Sequence, residues 1–382
     1  MIINKPARIA GVAVIAATAL AGCGSASNTG SGSSSGAIAG SGSSQASNAT
    51  AQASGSADCF TGSLRAAGST AQQNAITQAI SAYQAKCPGA KISYNGTGSG
   101  AGITSFTSKQ IDFAGSDSAL SPDKGEPAKA KQACTSDAWD LPMVTGPIAV
   151  VYNLKGVGKL TLTPKLIAKI FSGKITAWND PAIAAANKGA KLPSTKISVF
   201  FRSDSSGTTD NFTNYMHTTD GADWPAAHGK SWTGKVGQGK AKSAGVSAAV
   251  KSTDGAIGYD EWSYAVQNTL QMAQIDSGSG PVALSAESAA EGVSSAKVVG
   301  TGKDLSLKID YATKSPGAYP LILVTYEIVC SKYAQPKTGQ DVRSFLSYMA
   351  SPEFQATLPK IGSAPLPAGI QSKVATTIKA VS

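Results

Sequence analysis

Residues 197–208 read Ile197-Ser198-Val199-Phe200-Phe201-Arg202-Ser203-Asp204-Ser205-Ser206-Gly207-Thr208. Ile197–Phe201 is a strand by its apolar, β-branched and aromatic content. A turn of small, hydroxyl-bearing and acidic residues follows, then a helix from about Thr208 to Met216. A helix N-terminus leaves unpaired N–H groups and about half a positive charge. Glycine there lets an anion approach the backbone, serine and threonine add donors, and Arg202 adds a planar cationic fork. Three more turns share this make-up: Gly68-Ser69-Thr70-Ala71, Gly98-Ser99-Gly100 and Gly115-Ser116-Asp117. One Gly/Ser turn is ordinarily a cap. Four in one chain, one beside an arginine, point to a tetrahedral-anion site made without a metal.

Outward from these turns the chain alternates strand and helix. Strands are expected at 63–67, 91–94, 111–114, 147–152, 197–201 and 321–329. Helices are expected at 72–86, where Ala75, Ile76, Ala79, Ile80 and Tyr83 form a stripe, and at 103–106, 164–171, 208–216 and 339–349. Thr163 is placed to cap the 164–171 helix. Such alternation predicts an α/β fold with mainly parallel sheets flanked by helices. Residues 220–245, rich in Gly, Lys and Trp, read as a surface loop in which Lys230, Lys235, Lys240 and Lys242 are solvated or face a membrane or permease. Trp178 is expected in a core.

With 382 residues the chain has room for two domains, and 42% hydrophobic content excludes a wholly disordered chain. The apolar run 9–22 falls short of the roughly 20 residues that span a bilayer, so a polytopic membrane protein is excluded. Net charge is +10, which fits an anion-handling protein, a nucleic-acid binder or, most simply, a lysine-rich solvated surface; no nucleic-acid partner is expected. His217 and His228 are the only histidines, and neither lies in the four turns, so no metal site and no cofactor are expected. Known phosphate loops do not fit. Gly229-Lys230-Ser231 would need glycine where Trp224 stands, and the dinucleotide spacing from Gly96 and Gly98 reaches Ala101 instead of glycine. A phosphate-ester hydrolase would need a nucleophile with an activating base or metal. The one Gly-x-Ser-x-Gly match, Gly32–Gly36, falls in a Gly/Ser-rich stretch from whose sequence no strand–turn–helix elbow is expected.

The N-terminus reads as an address. Lys5 and Arg8 precede an apolar stretch, and Leu20-Ala21-Gly22-Cys23 resembles the bacterial lipobox, which implies removal of 1–22 and lipidation of Cys23. Acyl chains gain about 0.8 kcal/mol per buried CH₂, so several together anchor stably. Residues 24–57 carry no charge and are mostly Gly, Ser, Ala, Asn and Thr, composing a lipid-anchored tether over 23–57 with a reach of roughly 30–35 Å. In an oxidising compartment Cys59, Cys87, Cys134 and Cys330 permit three pairings. Cys59–Cys87 is favoured because a βα unit brings the start of its strand near the end of its helix, and Cys134–Cys330 follows by exclusion. A zinc site of four cysteines lacks any C-x₂₋₄-C spacing.

The set Gly68-Ser69-Thr70, Tyr94-Asn95-Gly96-Thr97-Gly98-Ser99-Gly100-Ala101-Gly102, Asp112-Phe113-Ala114-Gly115-Ser116-Asp117 and Arg202–Thr208 resembles the phosphate-binding proteins of high-affinity phosphate ABC importers, the PstS-type family. Gly173-Lys174-Ile175-Thr176-Ala177-Trp178-Asn179-Asp180 and Gly255-Ala256-Ile257-Gly258-Tyr259 match further landmarks in order, so the resemblance runs from about Asp58 to the C-terminus. It implies a two-lobed periplasmic-binding-protein fold, each lobe a mostly parallel sheet flanked by helices, joined by a two-strand hinge that closes on one phosphate. Crossings near Tyr152–Leu154 and Leu321–Tyr326 would give lobe 1 as 58–152 and 325–382 and lobe 2 as 153–324. By the resemblance, Thr70 and Ser99 donate hydroxyls, Ala71 a backbone N–H, Asp117 accepts a ligand proton, and Arg202, held by Asp204, pairs with phosphate oxygens. Ser206, Gly207 and Thr208 complete the cage. Ala71 departs from the aromatic residue common in the family at that position. The implied molecule is a monomer on the outer face of a bacterial membrane that serves the permease subunits of an ABC transporter. The competing readings are a phosphate-ester hydrolase and a relative that binds sulfate-type oxyanions.

Overall fold

A computed structural model describes residues 59–382. The leader, Cys23 and the tether lie outside the described residues. In chain order the first elements are β1 (Gly62–Gly68), α1 (Gln73–Lys86), β2 (Ala90–Gly96), α2 (Ser99–Thr107), β3 (Phe113–Ser116), α3 (Glu126–Cys134) and β4 (Ala138–Asn153). Next come β5 (Thr161–Leu162), α4 (Pro164–Phe171), α5 (Pro181–Ala186), β6 (Ser198–Arg202), α6 (Gly207–Asp220), β7 (Gln238–Lys240), α7 (Lys242–Ser252), β8 (Ala256–Glu261) and α8 (Trp262–Gln267). The short strands β9 (Gln271–Met272), β10 (Gln274–Asp276) and β11 (Pro281–Val282) lead to α9 (Ala286–Ser294). Then β12 (Lys297–Val298), β13 (Leu307–Lys308), β14 (Ile322–Cys330), α10 (Pro336–Met349), α11 (Pro352–Gln355) and α12 (Ala368–Ile378) close the chain.

The main sheet runs β2-β1-β3-β14-β4-β8-β6-β7, with β9 also on β4. Its two wings, β2-β1-β3 and β8-β6-β7, are parallel. Antiparallel pairing in this sheet belongs to β14, β4 and β9. β4 carries both halves of the fold. Ala138–Pro147 pairs with β14, and Ile148–Asn153 pairs with β8. Its partner therefore changes between Pro147 and Ile148, where the Ile148 N–H donates to Leu321 O at 2.9 Å. Parallel wings connected by helices must be covered on both faces, and the covering residues are apolar: Ala75, Ile76, Ala79 and Tyr83 of α1 and Phe212, Tyr215 and Met216 of α6 are buried.

Several expectations need correction. α2 begins at Ser99, four residues ahead of the expected Ile103, because Gly98 adopts φ +93°, a backbone that turns the chain straight from β2 into the helix. β4 starts at Ala138, nine residues before Pro147; Asp140, Thr145 and Gly146 interrupt the apolar run but are paired inside the sheet. Residues 220–245 do not simply run over the surface. Trp224 is buried and Trp232 stacks on Phe201 at 5.0 Å between ring centroids and on Tyr259 at 5.8 Å. Lys230 is only 4% exposed. Thr163 caps α4 as expected, accepting from the Leu166 N–H at 3.2 Å, and Trp178 is fully buried.

Two disulfides join Cys59 to Cys87 and Cys134 to Cys330, with Cα–Cα distances of 5.2 and 5.3 Å. The first ties the start of β1 to the end of α1, and the second ties α3 to β14.

Candidate functional site

The carboxyl ends of β1, β2, β3 and β6 converge, which is where open α/β sheets present ligand crevices. The aromatic packing of the second half sets the last of these. Tyr259 lies against Phe212 at 4.3 Å between centroids. Its hydroxyl accepts from the Arg202 N–H at 3.1 Å and bonds Thr209 Oγ1 at 2.7 Å. The end of β6 and the start of α6 are thereby fixed together.

Arg202 is 2% exposed. Its Nε donates to Asp204 Oδ1 at 2.8 Å and its Nη2 to Asp204 Oδ2 at 2.5 Å, a two-point pairing that orients the guanidinium plane. Nη1 donates to Ser243 Oγ at 3.2 Å and Thr208 Oγ1 at 3.4 Å. Burial works against the charge, but the Asp204 hydrogen bond and charge, with Glu261 and Asp260 nearby, hold Arg202 above its ordinary range. Burial likewise pushes Asp204 upward, and the Arg202 pairing overrides it and leaves the carboxyl below its ordinary range.

Across from Arg202, Asp117 is also 2% exposed. Its Oδ1 accepts from Ser69 Oγ at 2.5 Å and Thr325 Oγ1 at 2.8 Å, and its Oδ2 accepts from Ser99 Oγ at 3.2 Å. Burial first, then the charge of Glu261, push its pKa up to about 6, against the hydroxyl bonds and Arg202. Ser99 Oγ in turn accepts from the Gly207 N–H at 3.1 Å. Gly207 is required here: a Cβ on it would stand 2.6 Å from Asp117 Cβ and 2.7 Å from Ser99 Oγ. Ser206 caps α6, its hydroxyl accepting from the Thr209 N–H at 3.2 Å.

The residues selected from the sequence are thus brought together: Arg202 bonds Asp204, Thr208 and, through Ser243, Thr70, while Ser99 bonds Asp117 and Gly207, the residue after Ser206. Ala71 adjoins this set, with its N–H on Ser69 Oγ at 3.0 Å. Sequence reasoning passed over Ser69, Ser243, Glu261 and Thr325 as site residues. Ser69 stood next to Thr70 in a turn already singled out. Glu261 follows the Gly255–Tyr259 landmark by two residues. Ser243 and Thr325 had no local signal, because one lies in a lysine-rich segment and the other in an apolar strand. Glu261 Oε1 accepts from Thr208 Oγ1 at 2.5 Å and Oε2 from Ser243 Oγ at 2.8 Å.

Behind Asp117, burial pushes Glu327 up to about 8, with Gln72 opposing and the charge of Asp117 adding. The Gln72 amide donates to Glu327 Oε1 at 2.7 Å, while Glu327 Oε2 and Gln72 Oε1 have no hydrogen-bond partner. A neutral carboxyl suits that place better than a carboxylate.

Further bonds connect the segment after β3 to α6 and the loop beyond it. Asn211 Nδ2 donates to Asp117 O at 2.7 Å, Ser118 Oγ donates to Asp210 Oδ2 at 2.6 Å, and Lys230 Nζ reaches Glu126 Oε2 at 3.1 Å. Lys230 also presents its carbonyl to the Ser206 N–H at 2.8 Å, so this ion pair is one residue's length from the α6 cap.

Residues 27–353 match the family model described as a PBP superfamily domain. A phosphate-binding protein PstS2 of Mycobacterium bovis is 48% identical over 323 residues, 84% of this chain and 87% of that protein. The chain belongs to the PstS phosphate-binding family. A PstS3 of the same organism is 45% identical over 337 residues, 87% of this chain and 90% of that protein. Among solved structures, the phosphate-bound periplasmic protein PfluDING superposes with a TM-score of 0.67 at 21% identity, covering 82% of this chain and 93% of that one. A human phosphate-binding apolipoprotein superposes at 0.66, also at 21% identity, with 82% and 93% covered. These likenesses establish the two-lobed binding-protein fold. The PstS family is one of substrate-binding proteins, and no described helix is long and apolar enough to cross a membrane.

Proposed function

We propose that this chain captures inorganic phosphate between its lobes and hands it to the permease of an ABC importer, held at the outer face of the cell membrane by a lipidated Cys23. The observation that carries the reading is Arg202: one buried guanidinium, clamped by Asp204, faces a carboxylate acceptor and hydroxyls contributed by both halves of the sheet. Such a site can bind an oxyanion that brings both acceptor oxygens and a proton. In this reading Arg202 pairs with phosphate oxygens, and Thr70, Ser99 and Ser206 donate hydroxyls. Ala71, Gly207 and Thr208 donate backbone N–H groups, and Asp117 accepts the ligand proton. An anion entering the constellation takes over donors that now bond one another, so the exchange is between buried hydrogen bonds and no donor is stranded.

The change of partner along β4 at Pro147–Ile148, opposite Leu321–Ile322, supports placing the hinge there. Lobe 1 is then 59–147 with 322–382, and the second lobe lies between. Hinged closure needs only a few residues that absorb the bend. The protein works as a carrier without turnover. Calorimetric titration of the purified chain with phosphate, sulfate and arsenate tests the reading, alongside release of alcohol from a generic phosphate ester. Tight phosphate binding with no hydrolysis is expected. Failure to bind phosphate, or turnover of the ester, would overturn it.

A further inference from the structure

Ser243, the second residue of α7, is fully buried. A serine near a helix N-terminus ordinarily turns its hydroxyl to its own helix backbone. Ser243 instead bonds three side chains from three other parts of the chain: Thr70 Oγ1 at 2.8 Å, Arg202 Nη1 at 3.2 Å and Glu261 Oε2 at 2.8 Å. A hydroxyl has one proton and two acceptor lone pairs. The proton goes to Glu261, which can only accept when ionised. Ser243 therefore receives from both Thr70 and Arg202, and the Thr70 proton points at Ser243.

Thr70 and Arg202 are the ligand contacts of the phosphate reading, one from each lobe, and this inference rests on that reading. We propose that Ser243 is a further ligand-contact residue, its hydroxyl shared between Glu261 and the bound anion. An oxyanion that draws the Thr70 and Arg202 donors to itself occupies the space they now span across Ser243. Rotation about the Cβ–Oγ bond then carries the Ser243 proton from Glu261 to the anion. Glu261 is not stranded by this exchange, because Thr208 Oγ1 still donates to its other oxygen at 2.5 Å. The α7 segment thus adds a donor to those of the four turns legible in the sequence.

The test is phosphate affinity, by calorimetry or competition with labelled phosphate, for wild type, Ser243→Ala, Thr70→Ala, Arg202→Ala and the double variant Thr70→Ala/Ser243→Ala. Loss of a hydrogen bond to a charged ligand predicts that Ser243→Ala weakens binding about ten- to a hundredfold, with a similar further loss in the Thr70→Ala background. Thermal melting without phosphate checks that each variant is folded. Ser243→Cys, close in size and a weak donor, provides the same comparison if the alanine variant does not fold. The proposal fails if Ser243→Ala binds within twofold of wild type while Arg202→Ala does not bind. It also fails if the Ser243 effect vanishes once Thr70 is gone, since Ser243 would then act only through Thr70. Loss at Arg202 alone leaves the phosphate reading standing; a wild type that takes up no phosphate removes the reading and this inference with it.

Discussion

Replacing Asp117 by asparagine separates two consequences of one buried charge. The carboxyl is raised from 3.8 to about 6 by burial and by Glu261. Between those values the native protein binds the proton more strongly than the unfolded chain. The group's favourable contribution is therefore full below about pH 4 and is lost as pH rises through about 6. At pH 7 the ionised carboxylate disfavours the phosphate-free native state by about 3 kcal/mol, from roughly two pKa units at 1.36 kcal/mol each. Asparagine carries no charge, and its Oδ1 can still accept from Ser69 and Thr325; the bond from Ser99 Oγ is lost, because that hydroxyl already accepts from the backbone N–H groups of residue 117 and Gly207. Without phosphate, Asp117→Asn is expected to be more stable than wild type at pH 7 by up to about 3 kcal/mol, with the gap closing toward pH 4. The second consequence is selectivity. Phosphate near neutral pH carries a proton to donate to Asp117, whereas sulfate has none and would bring an oxygen lone pair against the carboxylate. A site built to pair a ligand hydroxyl rejects an analogue lacking it by about 10⁴–10⁵. The asparagine variant should keep much of its phosphate affinity and admit sulfate. Urea denaturation across pH 4.5–8 and competition titration of the two anions measure both effects. If the variant is no more stable at pH 7 and sulfate stays excluded, Asp117 is neither an ionised buried group nor the selectivity filter.

Arg202→Ala should weaken phosphate binding roughly 30-fold to several thousand-fold, since truncating one partner of a buried charge pair costs about 2–5 kcal/mol. Arg202→Lys should restore only part of it, because an ammonium lacks the planar fork, and a titration of each variant decides. Lys230→Met leaves Glu126 without its buried counter-charge. Stopped-flow release should quicken and affinity fall about tenfold or more, because a partner lost from a buried ion pair destabilises the closed arrangement by several kcal/mol; unchanged release would assign the pair no part in closure. Cys134→Ser/Cys330→Ser removes the bond between residues 196 apart. It should lower stability by about 2–5 kcal/mol in denaturant titrations, with phosphate affinity near wild type, as the disulfide does not touch the site.

The alternation of strand and helix, the placing of anion-seeking turns at strand ends and the family itself were legible in the sequence, because each is written in short-range chemistry. Glycine and serine after a strand declare a turn, a stripe such as Ala75-Ile76-Ala79-Ile80-Tyr83 declares a helix face, and the clustering of such turns declares an anion site. Lys230 shows the limit. Its neighbours Gly229 and Ser231 and the lysines farther along spell a solvated loop, yet it is buried on Glu126, more than a hundred residues away in sequence. β4 shows it again: Asp140 and Thr145 break the apolar run that marks a buried strand, and only pairing to β14 and hydrogen bonds such as Leu120 N–H to Asp140 Oδ2 at 3.1 Å make them fit inside. Ser243, Glu261 and Thr325 reach the site from three separate elements. Their roles depend on which lone pairs and protons face one another across the sheet. Local sequence determines what a backbone segment tends to become, through propensities that act over a few residues. The tertiary structure alone decides which buried polar groups become partners, because a hydrogen bond depends on distance in space, and neighbours in space are set by the packing of the whole chain.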